Sequence, residues 1–143
     1  MSFDLTHHPA QEPLSPAGQA YADECLRRSE GVLARCQGSS HRYGDSPWHN
    51  LSVFPAQGPS HSVLLFFHGG GWTSGYPEWM HFMAPALAAR GVTFVSAGYR
   101  LAPAHVFPAL LDDAADAVAW VHGHIADHGG DPSRLFVGGH SAG

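Results

Sequence analysis

The sequence predicts an α/β fold with a doubly wound, mostly parallel sheet and an antiparallel edge near its N-terminus. Three largely apolar runs, at 62–67, 92–97 and 135–137, have the continuous hydrophobicity of strands that are covered on both faces. Helical patterns separate these runs, and this alternation is typical of right-handed crossovers in a parallel sheet. Ligands bind at the carboxyl ends of such strands, where both glycine-rich motifs of the chain lie.

Composition favours a globular protein and argues against several classes of partner. The 143 residues are 44% hydrophobic and 13% charged, which suits a single domain with a core. The formal net charge of -5 and the lack of a basic stripe make nucleic acid an unexpected partner. No apolar run is long enough to span a bilayer, so we expect no membrane partner. The start of the chain lacks the features of a signal peptide, and two cysteines form no disulfide framework, which predicts a cytoplasmic protein.

The first 60 residues predict an arm, a helix and a hairpin. Residues 1–14 have no periodicity and are expected to form an extended arm. Ser15 followed by Pro16 is a helix start, and the helix is predicted to end at 38–40. Its expected buried face carries Tyr21, Cys25, Val32 and Leu33. Two short strands, at 41–44 and 51–54, flank a turn at 45–47 and predict a hairpin.

Two helices are predicted between the apolar strands. The first is expected to bury one face that carries Trp79, Met83, Ala86 and Leu87. The second has the clearest periodicity in the chain, in Leu110, Ala114, Val118, Val121 and Ile125. The helix dipole favours acidic residues at the start of a helix, and the second helix has them there. We expect these and one further aspartate to serve caps and solvated faces: Asp112, Asp113, Asp116 and Asp131.

The motif at 139–143 reads GHSAG and follows directly after an apolar strand. A tight turn between a strand and a helix exposes a serine hydroxyl, which makes Ser141 a candidate nucleophile. This turn brings the strand and the following helix close together, which explains the small residues Gly139 and Gly143 at its ends. The strand context separates this motif from a chance match in a glycine-rich chain.

The glycine run Gly69, Gly70 and Gly71 follows the first apolar strand. Acyl transfer develops an oxyanion, and preorganised backbone N–H groups stabilise it. We expect donors from this run on one side and the N–H of Ala142 on the other, because glycine lets the backbone approach a substrate closely. A phosphate-binding loop would need a nearby lysine, and the run has none.

Twelve histidines raise the question of a metal site. The densest group is His122, His124 and His128 on the second crossover helix. Residues two apart on a helix do not share a face, so we interpret this group as solvated histidines. The sequence therefore predicts neither a metal nor any other cofactor.

Four motifs follow one another in a fixed order: HGGGW at 68–72, YRLAP at 99–103, GGDP at 129–132 and GHSAG at 139–143. Together they resemble the α/β-hydrolase family. The resemblance is strongest to its esterase branch of hormone-sensitive-lipase-like carboxylesterases and kynurenine formamidase-like arylformamidases, and it covers about residues 43–143. It implies a serine hydrolase with Ser141 as nucleophile, Gly69, Gly70 and Ala142 around the oxyanion hole, and a structural His68.

The resemblance also implies a triad whose acid and histidine follow the serine along the chain. Neither lies within residues 1–143, which we therefore interpret as the N-terminal portion of one hydrolase domain. His140 is expected to point away from the turn, and neither His81 nor His105 occupies a catalytic position of the family. We expect residues 1–143 alone to be inactive, and the apolar strand before Ser141 to need cover from the rest of its polypeptide.

Several functions remain open at this point. The leading hypothesis is hydrolysis of a small carboxylic ester through an acyl-enzyme on Ser141. The alternatives are hydrolysis of an N-formyl amide, acyl transfer to an acceptor other than water, and a non-catalytic interaction module. Trp72, Tyr76 and His105 are candidate walls of the substrate pocket, and so are Trp79 and Phe107, although these aromatic residues suit a core equally well. Homo-oligomerisation is a further expectation.

Overall fold

A computed structural model describes residues 3–60 and 62–143 and has a five-stranded mixed sheet at its centre. The strands are β1 (Ser39–Arg42), β2 (Asn50–Phe54), β3 (Ser62–Phe67), β4 (Val92–Ala97) and β5 (Leu135–Gly139). They lie in the order β1-β2-β4-β3-β5. The pairs β1–β2 and β2–β4 are antiparallel, whereas β3 is parallel to both β4 and β5. The predicted α/β class, its parallel part and its antiparallel N-terminal edge are confirmed.

Four α-helices accompany the sheet in the described part of the chain. They are α1 (Pro16–Ser29), α2 (Val32–Arg35), α3 (Ala84–Ala88) and α4 (Ala109–His124). Short 3₁₀ helices cover Pro77–Met83, Ile125–His128 and Pro132–Arg134. The predicted N-cap is confirmed, because the Ser15 hydroxyl accepts a hydrogen bond of 3.1 Å from the Gly18 N–H. None of these helices combines the length and the apolar character that a membrane span needs.

The core lies on both sides of the sheet, as a doubly wound fold requires. One cluster joins the sheet to α4 and includes Leu65, Val95, Val121 and Ile125. The other joins the sheet to α1 and the Pro77–Met83 segment and includes Cys25, Phe54, Trp79 and Phe94. The periodicity predicted for the second crossover helix is confirmed in the burial of Val121 and Ile125.

Several local predictions are wrong. The first helix ends at Ser29, and the predicted terminator at 38–40 instead opens strand β1. The first crossover segment starts as a 3₁₀ helix, which changes its periodicity from 3.6 to 3.0 residues per turn. Its buried face therefore contains Met80 and His81 with Trp79, while the predicted Ala86 is exposed. Tyr21 on α1 is also 40% exposed.

Strand β5 lacks the burial on both faces that its apolar run predicts, and it has the uncovered surface that we expected of this strand in residues 1–143 alone. Phe136 and Val137 are 59% and 56% exposed. Strand β5 forms the edge of the described sheet, next to β3. The continuous hydrophobicity of the run identified the strand correctly, but burial depends on neighbours that a local pattern does not specify.

The N-terminal arm runs over residues 3–14 without helix or strand. Residues 1 and 2 of the predicted arm lie outside the described residues. The arm packs against the segment that follows the glycine run, and Leu14 joins the core cluster around Trp79. A stretch without periodicity is thus held by specific side chains.

Candidate active site

The sheet brings the two glycine-rich motifs side by side. Strands β3 and β5 are parallel neighbours, and Phe67 at the end of β3 is in register with Gly139 at the end of β5. The His140 N–H continues this pairing by donating a hydrogen bond of 3.2 Å to the Phe67 carbonyl oxygen. The glycine run after β3 and the serine after β5 therefore leave the same edge of the sheet together.

Ser141 occupies the turn conformation expected of an exposed serine. Its φ is +55°, in the left-handed region that a residue with a Cβ seldom adopts. The turn closes with a hydrogen bond of 2.9 Å from the Gly143 N–H to the His140 carbonyl oxygen. A strained residue of this kind is typical of functional sites, because the surrounding structure has to hold it in place.

Glycines at both ends of the motif let the turn pack tightly. A Cβ on Gly139 would collide with the backbone of Gly143. A Cβ on Gly143 would in turn collide with the carbonyl groups of Phe67 and His68. The predicted reason for small residues at 139 and 143 is therefore supported by the space around each of them.

Gly69 lies directly against the serine turn. A Cβ on Gly69 would come within 2.8 Å of the His140 carbonyl oxygen and 3.1 Å of the Ser141 Cβ. Gly70 and Gly71 follow with φ of +126° and +63°, and a Cβ on Gly70 would collide with Ser74. Around Gly71, by contrast, no described residue beyond its chain neighbours comes within 4 Å of where a Cβ would be, so the approach to this part of the loop is open.

Backbone N–H groups of both motifs are free to act as donors. Within the described residues, the N–H groups of Gly70, Gly71 and Ala142 donate no hydrogen bond. The Gly70 carbonyl oxygen, in contrast, accepts from the N–H groups of Thr73 and Ser74, at 3.2 and 3.1 Å. Hydrogen bonds within the loop thus use a carbonyl oxygen of the glycine run and leave its N–H groups available to an anionic ligand.

His68 is buried at the base of the loop and has a structural environment. Its Nδ1–H donates a hydrogen bond of 2.7 Å to the Gly69 carbonyl oxygen. Its ring stacks on that of Tyr99 at 4.6 Å, and the Tyr99 hydroxyl donates to the His68 carbonyl oxygen at 2.6 Å. Burial lowers the pKa of His68 to about 4, so the imidazole is neutral near pH 7. These contacts suit the structural role that the resemblance implies.

The arm supports the loop from the opposite end, which sequence analysis missed. The Gln11 amide donates to the Gly75 carbonyl oxygen at 2.8 Å and accepts from the Gly75 N–H at 2.7 Å. The Ser74 hydroxyl donates to the Glu12 carbonyl oxygen at 3.1 Å. No sequence signal could have found these contacts, because their partners are more than 60 residues apart in a segment without periodicity.

An apolar cavity of about 370 Å³ lies beside the serine turn. Its lining includes Trp72, Tyr99, His105, Phe107, Leu110 and Ala142. Trp72 and His105 thus lie where a pocket wall was expected. The Trp72 indole N–H also donates a hydrogen bond of 2.7 Å to the Ala142 carbonyl oxygen, which ties the loop to the serine turn.

Two other aromatic residues do not line this cavity. Tyr76 packs against the rings of His8 and Trp79, at 4.7 and 6.2 Å, and Trp79 is buried in the core. Both belong to the core cluster that joins the sheet to α1, whereas cavity residues such as Tyr99 and Leu110 belong to the cluster that joins the sheet to α4. This cavity therefore gives no support to the predicted pocket role of Tyr76, which stays a prediction.

No proton acceptor contacts the Ser141 hydroxyl among the described residues. The His140 ring stacks on Tyr21 at 5.7 Å, and its Nδ1 lies 3.3 Å from the Tyr21 hydroxyl. His81 is buried against Phe54, at 4.9 Å between ring centroids. Both of its ring nitrogens lack a partner among the described residues, and burial lowers its pKa to about 4.

Asp113 has a structural partner set, contrary to the expectation of a solvated face. Its carboxylate is fully buried and accepts hydrogen bonds from the Arg100 backbone N–H and side chain, at 2.7 to 3.0 Å. The His49 Nε2 lies 2.9 Å from the same carboxylate. Asp131, as expected, caps a short helix by accepting from the Ser133 N–H at 2.9 Å.

Two of the three histidines at the end of α4 and just after it contact aromatic rings, and the three do not form a set of metal ligands in the described structure. His124 stacks on Trp120 at 4.4 Å, and His128 lies 4.9 Å from the His41 ring. Over residues 3–60 and 62–143, the group of three ligand side chains within mutual reach is His7, His8 and Glu78. Sequence analysis did not consider this group, because Glu78 is 70 residues from His8.

Comparison with known proteins agrees with the fold described above. Residues 64–143 match the model of a family described as having the alpha/beta hydrolase fold. The chain is 45% identical over 82 residues to the carboxylesterase NlhH and 42% identical over 92 residues to the carboxylic ester hydrolase LipN, both of Mycobacterium tuberculosis. These matches cover 57% and 62% of this chain but only 26% and 24% of the relatives.

A solved structure shows the same architecture. The crystal structure of esterase LipW from Mycobacterium marinum superposes with a TM-score of 0.68 at 28% identity, covering 92% of this chain and 45% of that one. The chain thus spans less than half of the solved relative and about a quarter of the curated relatives it matches. The family match extends over more than half of the chain and includes both the glycine run and the serine turn. The chain belongs to the α/β-hydrolase family, in agreement with the motifs in its sequence.

Proposed function

We propose that the protein hydrolyses carboxylic esters through an acyl-enzyme on Ser141. In the first step, the Ser141 Oγ attacks the ester carbonyl carbon and forms a tetrahedral oxyanion. The bond to the alcohol oxygen then breaks, and the alcohol leaves with the proton that Ser141 has lost. Water adds to the acyl-enzyme in the second step, which releases the carboxylic acid and restores the serine.

The observation that carries this proposal is the close approach of Gly69 to the serine turn, where a Cβ on Gly69 would lie only 2.8 Å from the His140 carbonyl oxygen. This contact joins a strained, exposed serine to a loop whose N–H groups are unpaired within the described residues. An oxyanion beside Ser141 would accept from the Gly70 or Gly71 N–H on one side and the Ala142 N–H on the other. Each such donor contributes about 3 kcal/mol to transition-state stability.

The lining of the neighbouring cavity favours an apolar group on the substrate. Trp72 and Phe107 are 57% and 77% exposed, which leaves aromatic surface available next to the serine turn. No arginine or lysine lines the cavity, so an anionic substrate has no counter-ion there among the described residues. We infer a small, uncharged ester with an apolar acyl or alcohol group. The relatives named above are esterases, which supports an ester over an N-formyl amide.

Activation of Ser141 needs a base that its described neighbours do not provide. His68 is buried and donates to its own loop, and His140 is turned toward Tyr21. We propose that a histidine and an acid from the remainder of the polypeptide complete the site. Residues 1–143 alone would then be inactive, and the complementary segment is the partner that the site requires.

A fluorophosphonate probe tests this proposal, because it reacts covalently with an activated serine. We expect labelling of Ser141 in the polypeptide that extends beyond residue 143, and none in its Ser141→Ala variant. Ser40→Ala, at an exposed position on β1, serves as the matched control and should label normally. Absence of labelling in the extended polypeptide would instead support a non-catalytic interaction module.

Product analysis then distinguishes the remaining alternatives. An aryl ester and the matching N-formyl aryl amide report on ester against amide hydrolysis. Added alcohol or thiol acceptors report on acyl transfer. We expect faster turnover of the ester and a carboxylic acid as the main product. Faster turnover of the formamide would contradict the ester proposal while leaving the acyl-enzyme intact.

A further inference from the structure

The N-terminal arm crosses the Pro77–Met83 segment at a compact group of ligand side chains. The His8 Nε2 lies 3.1 Å from both carboxylate oxygens of Glu78. Both side chains are largely buried, with exposed fractions of 3% for His8 and 14% for Glu78. A shared hydrogen bond therefore accounts for the position of His8 on the carboxylate.

His7 joins the same group without a hydrogen bond of its own. Its Nε2 lies 3.6 Å from the Glu78 Oε1, which is beyond hydrogen-bonding distance. The ring of His7 packs on that of His8 at 4.0 Å and remains 51% exposed. Two imidazoles thus converge on one carboxylate, and one of them is open to solvent.

The spacing of these atoms suits a small transition-metal ion. One ligand atom from each of the three residues lies within 4.8 Å of the other two. In a tetrahedral zinc site, bonds of about 2.1 Å place neighbouring ligand atoms about 3.4 Å apart. The separations of 3.1 and 3.6 Å from the Glu78 carboxylate to the two histidines bracket that value. Small side-chain adjustments would therefore complete three-ligand geometry.

We propose that His7, His8 and Glu78 bind a divalent transition-metal ion of the zinc class. Neutral imidazole nitrogens suit Zn²⁺, Cu²⁺ and Ni²⁺, whereas Mg²⁺ and Ca²⁺ prefer sets of oxygen ligands. Two histidines and one carboxylate fill three positions, and water completes the fourth. Because the His7 ring is half exposed, the ion and this water would enter from the side of His7.

The ion would act as a clamp on the arm and has no part in the proposed ester chemistry. Gln11 and Ser74 already join the arm to the glycine loop by hydrogen bonds, and the metal would strengthen the attachment that His8 makes to Glu78. Binding to the folded state alone stabilises it, so the ion should protect the arm and raise the melting temperature. This inference is independent of whether Ser141 reacts with esters.

Calorimetric titration of the chelator-treated protein with Zn²⁺ tests the site directly. We expect one ion per chain and at least about tenfold weaker binding in His7→Ala, since even outer-shell partners contribute about that much. His8→Ala and Glu78→Gln should also lose binding. His7 is exposed, so its removal should leave the fold intact by circular dichroism. His122→Ala removes an exposed histidine of α4 and is the matched control, with unchanged affinity expected.

Melting curves provide the second measurement. A 100-fold excess of Zn²⁺ over its Kd should raise the melting temperature by about 5 °C or more in the wild-type protein. The same excess should have little effect in His7→Ala. The proposal is wrong if stoichiometric binding is absent, if folded His7→Ala binds as tightly as wild type, or if His122→Ala weakens binding equally.

Discussion

Gly69 is the residue at which the two motifs of the candidate site touch. A methyl group there would lie 2.8 Å from the His140 carbonyl oxygen and 3.1 Å from the Ser141 Cβ. Both neighbours belong to a tight backbone turn and cannot move aside as a flexible side chain would. The loop and the turn would therefore have to separate, which disturbs their relative position as well as their packing.

We expect Gly69→Ala to destabilise the fold by about 1–3 kcal/mol, the usual cost of overpacking. Urea denaturation measures this change. Gly123→Ala is the control, because a Cβ at that exposed position in α4 would have no described residue within 4 Å apart from the backbone of its own helix. Alanine should stabilise a helix there by about 0.5–1 kcal/mol. Equal effects of the two variants would show that the contact at Gly69 is unimportant.

His81 is an unusual core residue, because both ring nitrogens are buried without a partner among the described residues. Burial lowers its pKa to about 4 from an ordinary value of 6.5. The unfolded chain therefore takes up a proton at 81 between pH 6.5 and 4, and the folded chain does not. Protonation at 81 therefore favours the unfolded state, and the protein loses stability as the pH falls from 6.5 toward 4.

We expect His81→Leu to stabilise the protein at pH 7 by about 1 kcal/mol, since it removes two unsatisfied buried nitrogens at nearly constant volume. Between pH 6 and 4.5 it should also reduce the pH dependence of the unfolding free energy by up to about 1.4 kcal/mol per pH unit. Urea unfolding at several pH values measures both. Residual dependence from His68, whose pKa is also lowered to about 4 by burial, should persist. If the unfolding free energy of His81→Leu varied with pH as steeply as that of the wild type, the lowered pKa of His81 would be contradicted.

At the scale of elements, α4 is held to the sheet by a buried carboxylate as well as by apolar contacts. Asp113 accepts hydrogen bonds from Arg100, which follows β4, and lies beside His49, which precedes β2. Burial alone would raise its pKa, but these hydrogen bonds outweigh that effect and hold the pKa below its usual value. One side chain thus joins three parts of the chain next to the cavity.

We expect Asp113→Ala to destabilise the fold by about 3 kcal/mol, because it leaves Arg100 and His49 without their carboxylate partner. Chemical denaturation at neutral pH gives the value. Asp116→Ala removes an exposed acid nearly one turn later on α4 and should change stability by no more than about 0.5 kcal/mol. Comparable losses in both variants would mean that helix charge, and not the buried network, accounts for the effect.

At the scale of the whole molecule, the sheet has one polar edge and one apolar edge. Strand β1 carries Ser40 and Arg42, both exposed, at one side. Strand β5 lies at the other side with Phe136 and Val137 more than half exposed. An apolar edge strand offers unpaired backbone groups to other chains, and charged residues prevent such pairing.

We therefore expect the 143-residue chain to self-associate through β5 and Phe136→Lys to slow aggregation several-fold. Light scattering at increasing protein concentration measures the rate. Ser40→Lys places the same charge on the opposite edge and should leave the rate unchanged. If both lysines slow aggregation equally, net charge and not the β5 edge controls association. Cover of this edge by the remainder of the polypeptide or by another copy stays a prediction.

Local patterns in the sequence were sufficient for much of the architecture. Apolar runs located β3, β4 and β5, Ser15 located the start of α1, and glycines located the tight turns. Each of these depends on neighbours within a few residues, through periodicity, capping or steric space around the backbone. The order of strands and helices then implied a parallel sheet, and the four motifs implied the family that the comparisons confirm.

Contacts between distant residues were decided only by the tertiary structure. The indole of Trp72 reaches the Ala142 carbonyl across 70 residues, and His8 reaches Glu78 across the same separation. The sequence predicted that Asp113 is a solvated helix residue, but in the fold Arg100, after β4, contacts its carboxylate. Likewise, β5 has the pattern of a buried strand but forms an edge, because burial is a property of neighbours in space. Periodicity reports which face of an element is apolar, and only the packed fold determines what meets that face.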